Sequence, residues 1–258
     1  MSAADRWASA LHGWKIPDSI LAQAPESPWG FPPALFGSGG GSFGALHRTA
    51  QAALEGHGSV LDVGCGGGAA SVPLVPPATK LVGVDNLPEM LEKFAGAAES
   101  TGAAHTEILG IWPDVADQVP RCDVAVCRNV AYNVATIVPF LTALTGHASK
   151  RVVVELTASH PSVPLAPLWM RFWGLARPDG PTSGMFGEVL HEIGINADVV
   201  HETRPSVKGV MDAGEYVAFV RRRLCLDPSH DPEIAAELEE LDVPFRDETT
   251  AAVFSWEP

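Results

Sequence analysis

Basic residues are scarce in this chain. Seventeen lysines and arginines stand against 31 aspartates and glutamates in 258 residues, a formal charge of −14. Nucleic acids and anionic membranes capture proteins through clustered cations that release counterions, so this balance argues against both partners. The one basic run, Arg221-Arg222-Arg223, is expected to be the solvated end of a strand. Cysteine is scarce as well. Its four positions, Cys65, Cys122, Cys127 and Cys225, show neither metal-ligand spacing nor the density of a disulfide framework. The nine histidines contain no H-x-x-x-H or H-x-H pair, so no metal site is expected. No apolar run reaches the roughly 20 residues of a membrane span, and the first residues lack the apolar core of a secretory signal. The expectation is a soluble cytoplasmic protein with reduced thiols. Arginine outnumbers lysine twelve to five, a bias associated with high-GC bacterial genomes.

What is present is an ordinary globular composition, 46% hydrophobic and 19% charged, at a length suited to one domain with appendages. Its most informative segment is Val60-Leu61-Asp62-Val63-Gly64-Cys65-Gly66-Gly67-Gly68, an apolar run that breaks into a glycine turn. A second apolar run, Lys80 to Val84, stops at Asp85. Glycines admit positive φ and let a ligand approach the main chain, and an acid closing the next strand accepts the hydroxyls of a ribose. Together they predict an adenosine-type ligand across the ends of two parallel strands. Gly64 to Ala69 also fits the loose dinucleotide pattern G-x-G-x-x-G/A. Asp62 tips the balance away from that reading, because a carboxylate there repels a pyrophosphate and attracts a ligand carrying an ammonium and a sulfonium.

The chain then alternates between strand-like and helix-like segments, which predicts a parallel sheet with crossover helices. Strands are expected at Ser59–Val63, Lys80–Val84, His105–Leu109, Cys122–Cys127 and Arg151–Leu156. Helices are expected at Ala45–Leu54, Gly68–Val75, Pro88–Ser100, Ile137–Gly146 and Thr182–Gly194. Two further strands, Ala197–Thr203 and Glu215–Val220, would form an antiparallel hairpin around Gly209, followed by an acidic helix over Glu233–Leu241. The expected organisation is an N-terminal lid and hinge over 1–44, a core over 45–224 with a lid insert at about 161–181, and a tail over 225–258 packed on the core.

The acid-x-Gly-x-Gly run with the following Asp85 resembles the first motif of the class I S-adenosylmethionine-dependent methyltransferases. The resemblance covers about Gly58 to Val220 and implies a three-layer α/β sandwich. Its seven-stranded, mostly parallel sheet would end in an antiparallel hairpin, with an N-terminal helical lid. It implies S-adenosyl-L-methionine as methyl donor and assigns Asp62 to its ammonium. Gly64, Cys65 and Gly66 would lie along the methionine part, Asp85 on the ribose, and Asn86 and Met90 beside the adenine. Where the family carries an acid for the adenine amino group this chain has Ile111, leaving that contact to the backbone of Ile111 and Trp112. The Trp112 ring either packs on the base or is buried as a loop aromatic. Arg128 and Asn129 would lie under the sulfonium.

Transfer to oxygen or carbon needs a base, whereas a neutral amine needs little more than alignment. His160 and Tyr132 are the candidates for catalytic roles, with Glu155 at the edge of the site. Trp29, Phe31, Trp169 and Trp173 are expected to form a substrate lid over a small-molecule acceptor. Two rival functions share the glycine turn: an NAD(P)-dependent oxidoreductase, and a non-catalytic module that binds S-adenosylmethionine for regulation.

Overall fold

The computed structural model describes residues 1–29, 43–205, 211–240 and 248–258. Five runs rich in β-branched and aliphatic residues form parallel strands: β1 (Gly58–Val63), β2 (Ala78–Asp85), β3 (Ala104–Leu109), β4 (Cys122–Arg128) and β5 (Ala148–Thr157). The central residues of β1, β2, β4 and β5 are buried on both faces, as strands covered by helices require, while β3, at the sheet's edge, is half-buried to exposed throughout. The strands β6 (Asp198–Pro205) and β7 (Glu248–Trp256) complete a seven-stranded sheet in the order β3-β2-β1-β4-β5-β7-β6. β7 runs antiparallel to both neighbours, with Val154 opposite Phe254 and Val200 opposite Val253.

One face of the sheet carries Leu61, Val82, Ala125 and Val152, which pack with Trp7 of α1 (Ala3–His12), Phe140 of α5 (Ile137–Gly146) and Phe186 of α7 (Ser183–Glu192). The other face carries Val60, Leu81, Val126 and Val153 and is covered by Leu46 of α3 (Ala45–Leu54) and Phe94 of α4 (Pro88–Glu99). A third cluster stands apart from the sheet. There Trp14, Ile16 and Ile20, the last on the short α2 (Asp18–Leu21), meet Leu168 and Trp169 of α6 (Ala166–Trp173) and Tyr216 and Val220 of α8 (Ala213–Arg223). Ile234 of α9 (Asp231–Glu240) closes this cap.

Three expectations are corrected. Residues 68–75 form turns and a short 3-10 segment, Val72–Leu74, rather than a helix. Pro73, Pro76 and Pro77 supply no amide hydrogens for one. The segment Glu215–Val220 is helical, with Asp212 and Glu215 forming a capping box and Tyr216 and Val220 on one buried side. The strand that partners β6 is instead β7 (Glu248–Trp256), so α8 and α9 lie between the members of the antiparallel pair. The three arginines close α8, where Arg221 pairs with Asp231 and Glu26. The acidic helix forms as expected over Asp231–Glu240. Gly209 and, of the glycine-rich hinge expected over 36–44, all but Phe43 and Gly44 lie outside the described residues.

Candidate functional site

At the carboxyl edge of β1 the chain leaves the sheet through the glycine turn. The amides of Gly64 and Cys65 both donate to the Val84 carbonyl, at 2.8 and 3.0 Å, tying the turn to the end of β2. Gly64 has φ +68°, and a Cβ there would stand 2.3 Å from Cγ2 of Val130. Only glycine meets both conditions. Gly66, at φ +51°, donates its amide to Oδ2 of Asp85 at 2.9 Å, while Oδ1 of Asp85 accepts from the Leu87 amide at 3.0 Å. Cys65 is buried, and burial raises its thiol pKa, so it is a packing residue rather than a nucleophile.

Asp62 lies directly beneath the turn and is 1% exposed. Its Oδ2 accepts from the Ser71 hydroxyl at 2.6 Å, but its Oδ1 is buried without a partner. Burial pushes its pKa up to about 7; the Ser71 bond opposes that shift and the nearby Asp85 charge adds to it. A buried carboxylate oxygen with nothing to accept is costly unless a donor arrives.

Beyond β2, Asn86 is exposed and Met90 half-buried, both at the start of α4. After β3 the Ile111 side chain is 61% exposed. The Trp112 ring takes the buried option: it sits in the sheet core, donates to the Phe140 carbonyl at 3.2 Å and meets His147 edge-on. It has no free face for a base.

After β4 a polar cluster collects on the side roofed by α3. Arg128 donates through Nε to Oε1 of Glu155 at 2.8 Å, and its Nη1 lies 3.5 Å from the Ala69 carbonyl in the turn. Arg204, from β6, bonds the same Glu155 oxygen and reaches Oδ1 of Asn129 at 3.2 Å. Asn129 holds φ +60° and donates its amide to the Glu155 carbonyl at 2.8 Å. His47 of α3 is buried above the turn. Its Nδ1 accepts from the Gly44 amide at 3.1 Å, which leaves Nε2 to donate to the Ala69 carbonyl at 2.9 Å. Sequence reasoning named Arg128, Asn129 and Glu155 but missed Ser71, His47 and Arg204. No motif spacing flags a residue brought in from a distant strand.

On the opposite face Tyr132 and His160 come together, ring centroids 5.4 Å apart. Tyr132 stacks on Trp7 and donates its hydroxyl to the Thr157 carbonyl at 2.6 Å; burial raises its pKa. His160 stacks on Trp14 at 4.9 Å, and its Nδ1 accepts from the Ser162 amide at 3.2 Å. Burial, with Arg223 nearby, pushes the imidazole down to about 4. At neutral pH it is uncharged and a weak base.

The expected lid residues do not converge. Trp29 is exposed, Phe31 lies outside the described residues, and Trp169 is buried under the guanidinium of Arg177, 4.0 Å from its ring. Trp173 is half-buried and donates to the Leu224 carbonyl at 2.7 Å. These two tryptophans of the insert hold the cap together. A cleft of about 580 Å³ opens beside them at the same sheet edge. Its lining includes Ala158 and Ser159 after β5, Thr203 of β6, Val163, and the carboxylates of Asp179 and Glu248. Among the described residues no group of three or more His, Cys, Asp or Glu is arranged to hold a metal ion. No helix there is long and apolar enough to cross a membrane.

A family model described as a methyltransferase domain matches residues 43–189, more than half of the chain. Comparison with curated proteins finds no match. Among solved structures, an S-adenosylmethionine-dependent methyltransferase from Geobacter sulfurreducens, in complex with S-adenosyl-L-homocysteine, is 20% identical with a TM-score of 0.51, over 83% of this chain and 90% of that one. Magnesium protoporphyrin IX methyltransferase from Synechocystis, with bound S-adenosylhomocysteine, is 14% identical with a TM-score of 0.50, over 88% and 92%. The YcgJ protein of Bacillus subtilis is 13% identical with a TM-score of 0.51, over 82% and 97%. At these identities the structural likeness is one of fold, and the family match supplies the rest. The chain belongs to the class I S-adenosylmethionine-dependent methyltransferase family.

Proposed function

We propose that this protein transfers a methyl group from S-adenosylmethionine to a small-molecule acceptor that approaches along the β4–β5 edge. The observation that carries the cofactor assignment is the buried, unpartnered Oδ1 of Asp62 beneath the glycine turn. An α-ammonium is the group that fits it, being cationic and a donor, and the fit recovers the cost of burying the acid. Gly64 and Gly66 keep the turn free of side chains, so the methionine part can lie on the backbone. Asp85 already accepts two amides, and its rim position leaves it able to take ribose hydroxyls. Asn86, Met90 and the backbone at Ile111 border the adenine end.

The sulfonium supplies the activation, so the chain's own task is alignment and the exclusion of water. Holding donor and acceptor in line lowers such a barrier by roughly 7–11 kcal/mol in favourable cases. Neither side chain considered for proton transfer suits that role. Tyr132 is committed to a carbonyl, and His160 is packed and weakly basic. An acceptor that arrives with its lone pair free, such as a neutral amine, therefore matches the site better than an unactivated hydroxyl or carbon acid. The cleft by Ser159 has the size of a metabolite site. An occupant there would lie about two to three strand spacings of ~4.8 Å from the glycine turn. One fold relative is named for a small-molecule acceptor, magnesium protoporphyrin IX.

The test is titration calorimetry with S-adenosylmethionine and S-adenosylhomocysteine, together with Asp85→Ala and Gly64→Val. Binding by the wild type and its loss in both variants is the expected result. A wild type that ignores both ligands, or variants that bind as well as wild type, overturns the assignment. Labelled cofactor incubated with a metabolite extract then identifies the acceptor by the mass it gains.

A further inference from the structure

The cluster around Glu155 contains one more cation than the site reading uses. Glu155 is 3% exposed and receives two guanidiniums, Arg128 from its neighbouring strand and Arg204 from β6. Arg204 belongs to the outermost strand of the sheet, and β7 lies between β6 and β5. Reaching across costs hydration: burial lowers the Arg204 pKa, and Glu155 offsets part of that loss. A side chain drawn into such a place must be held there by what it touches. Its two contacts come from different nitrogens, Nη1 to the Glu155 carboxylate and Nη2 to Oδ1 of Asn129. Only a forked guanidinium spans both.

Asn129 occupies the corner that matters. It is one of three non-glycine residues with positive φ among those described, a conformation that asparagine tolerates better than most residues but still at some cost. Its backbone amide is tied to the Glu155 carbonyl and its side chain to Arg204. The next residue, Val130, presses against Gly64 so closely that no Cβ fits there. The preceding residue, Arg128, approaches the Ala69 carbonyl on the far side of the turn. The corner 128–130 thus forms one wall of the glycine turn, and its conformation is set by Glu155 and Arg204.

From this geometry we infer that Arg204 is a positioning residue for the cofactor site, acting through Asn129 and Glu155 to hold the Arg128–Val130 corner against the glycine turn. The inference rests on the reading that this turn binds S-adenosylmethionine. It makes the edge strand β6, remote from the motif in sequence, a determinant of cofactor affinity.

A double-mutant cycle in S-adenosylhomocysteine affinity, with thermal midpoints recorded in parallel, tests it. Arg204→Met and Asn129→Ala are each expected to weaken binding about tenfold, and the double variant by about the same factor rather than a hundredfold. Arg204→Lys keeps the charge on Glu155 but loses the fork. It is expected to return the thermal midpoint to the wild-type value while affinity stays low, a separation that a purely structural role does not produce. Affinities within twofold of wild type in Arg204→Met, losses that multiply in the double variant, or recovery of affinity and midpoint together in Arg204→Lys overturn the inference. Should Arg204→Met fail to fold, the Arg204→Lys and Asn129→Ala arms decide alone. A wild type that does not bind S-adenosylhomocysteine refutes the cofactor reading and this inference with it, whereas a binding wild type with indifferent variants refutes this inference only.

Discussion

Replacing Asp62 by Asn should make the protein more stable at pH 8 and less able to bind its cofactor. The folded-state pKa of Asp62 is about 7, against 3.8 for an ordinary aspartate. Between those values the folded protein holds a proton that the unfolded chain releases. Stability contributed by the protonated acid is therefore complete below pH ~4 and lost progressively as pH rises to ~7. At 1.36 kcal/mol per pKa unit, a shift of about three units amounts to roughly 4 kcal/mol of destabilisation once the group is ionised. Asparagine does not titrate. Its amide changes the baseline through the Ser71 bond and the orphaned position, but that change is the same at every pH. The stability of Asp62→Asn relative to wild type should therefore rise by about 3 kcal/mol between pH 5 and pH 8, the span of about two units below the folded pKa. For a chain of this size that corresponds to a thermal-midpoint difference on the order of 10 °C. Urea unfolding at half-unit pH intervals measures the slope directly. The same linkage predicts that wild type at pH 6 releases about one proton on binding S-adenosylmethionine, because the ammonium requires the carboxylate. Calorimetry in buffers of different ionisation enthalpy counts that proton. Parallel stability profiles for the two proteins would refute the reasoning, since they would mean that Asp62 titrates alike in the folded and unfolded states.

Three further outcomes follow from the same geometry. Gly64→Ala adds a Cβ 2.3 Å from Cγ2 of Val130 at φ +68°, and urea unfolding should show a loss of about 2–4 kcal/mol from overpacking and left-handed strain together. Asp85→Ala frees the amides of Gly66 and Leu87. Affinity for S-adenosylhomocysteine should fall roughly 10- to 100-fold, the loss of one or two bonds to a charged acceptor. His160 is held neutral, with a folded pKa of about 4. Its stabilising contribution is present above the unfolded value near 6.5 and disappears as pH falls toward 4. His160→Gln should flatten that acid limb of stability, and methyl-transfer rates should show no inflection from His160 between pH 6 and 8. An NMR titration of His160 with a midpoint near 6.5 would contradict its burial.

The sheet was legible because its signals are local. Val60 to Val63, Lys80 to Val84 and Val152 to Leu156 are runs whose length and branching admit little else. The glycine turn was legible for a stricter reason. Positive φ at Gly64 together with the close approach of Val130 excludes other residues there, and positive φ at Gly66 favours glycine, so the turn is written in the composition. The Glu155 cluster was only half legible, because Arg204 meets Glu155 and Asn129 through a strand order that no local pattern encodes.

The errors near the C-terminus have a single physical origin. Tyr216-Val217-Ala218-Phe219-Val220 has the composition of a strand, yet Tyr216 and Val220 are one helical turn apart and face the same buried cluster. The Asp212–Glu215 capping box was the local sign that a helix starts there. Reading that segment as a strand used up the partner of β6, which left the real partner, Glu248–Trp256, as a tail. It also removed the surface against which Trp14, Trp169 and Trp173 pack. Aromatic residues without a partner in the reading then look like a substrate lid. With α8 in place they are the interior of a cap, and the cleft beside them is bordered by a mixed surface, with Ser159, Thr203, Asp179 and Glu248 on one hand and Val163, Pro164 and Pro167 on the other. The tryptophans of the insert therefore serve the cap's packing and not a lid over the acceptor.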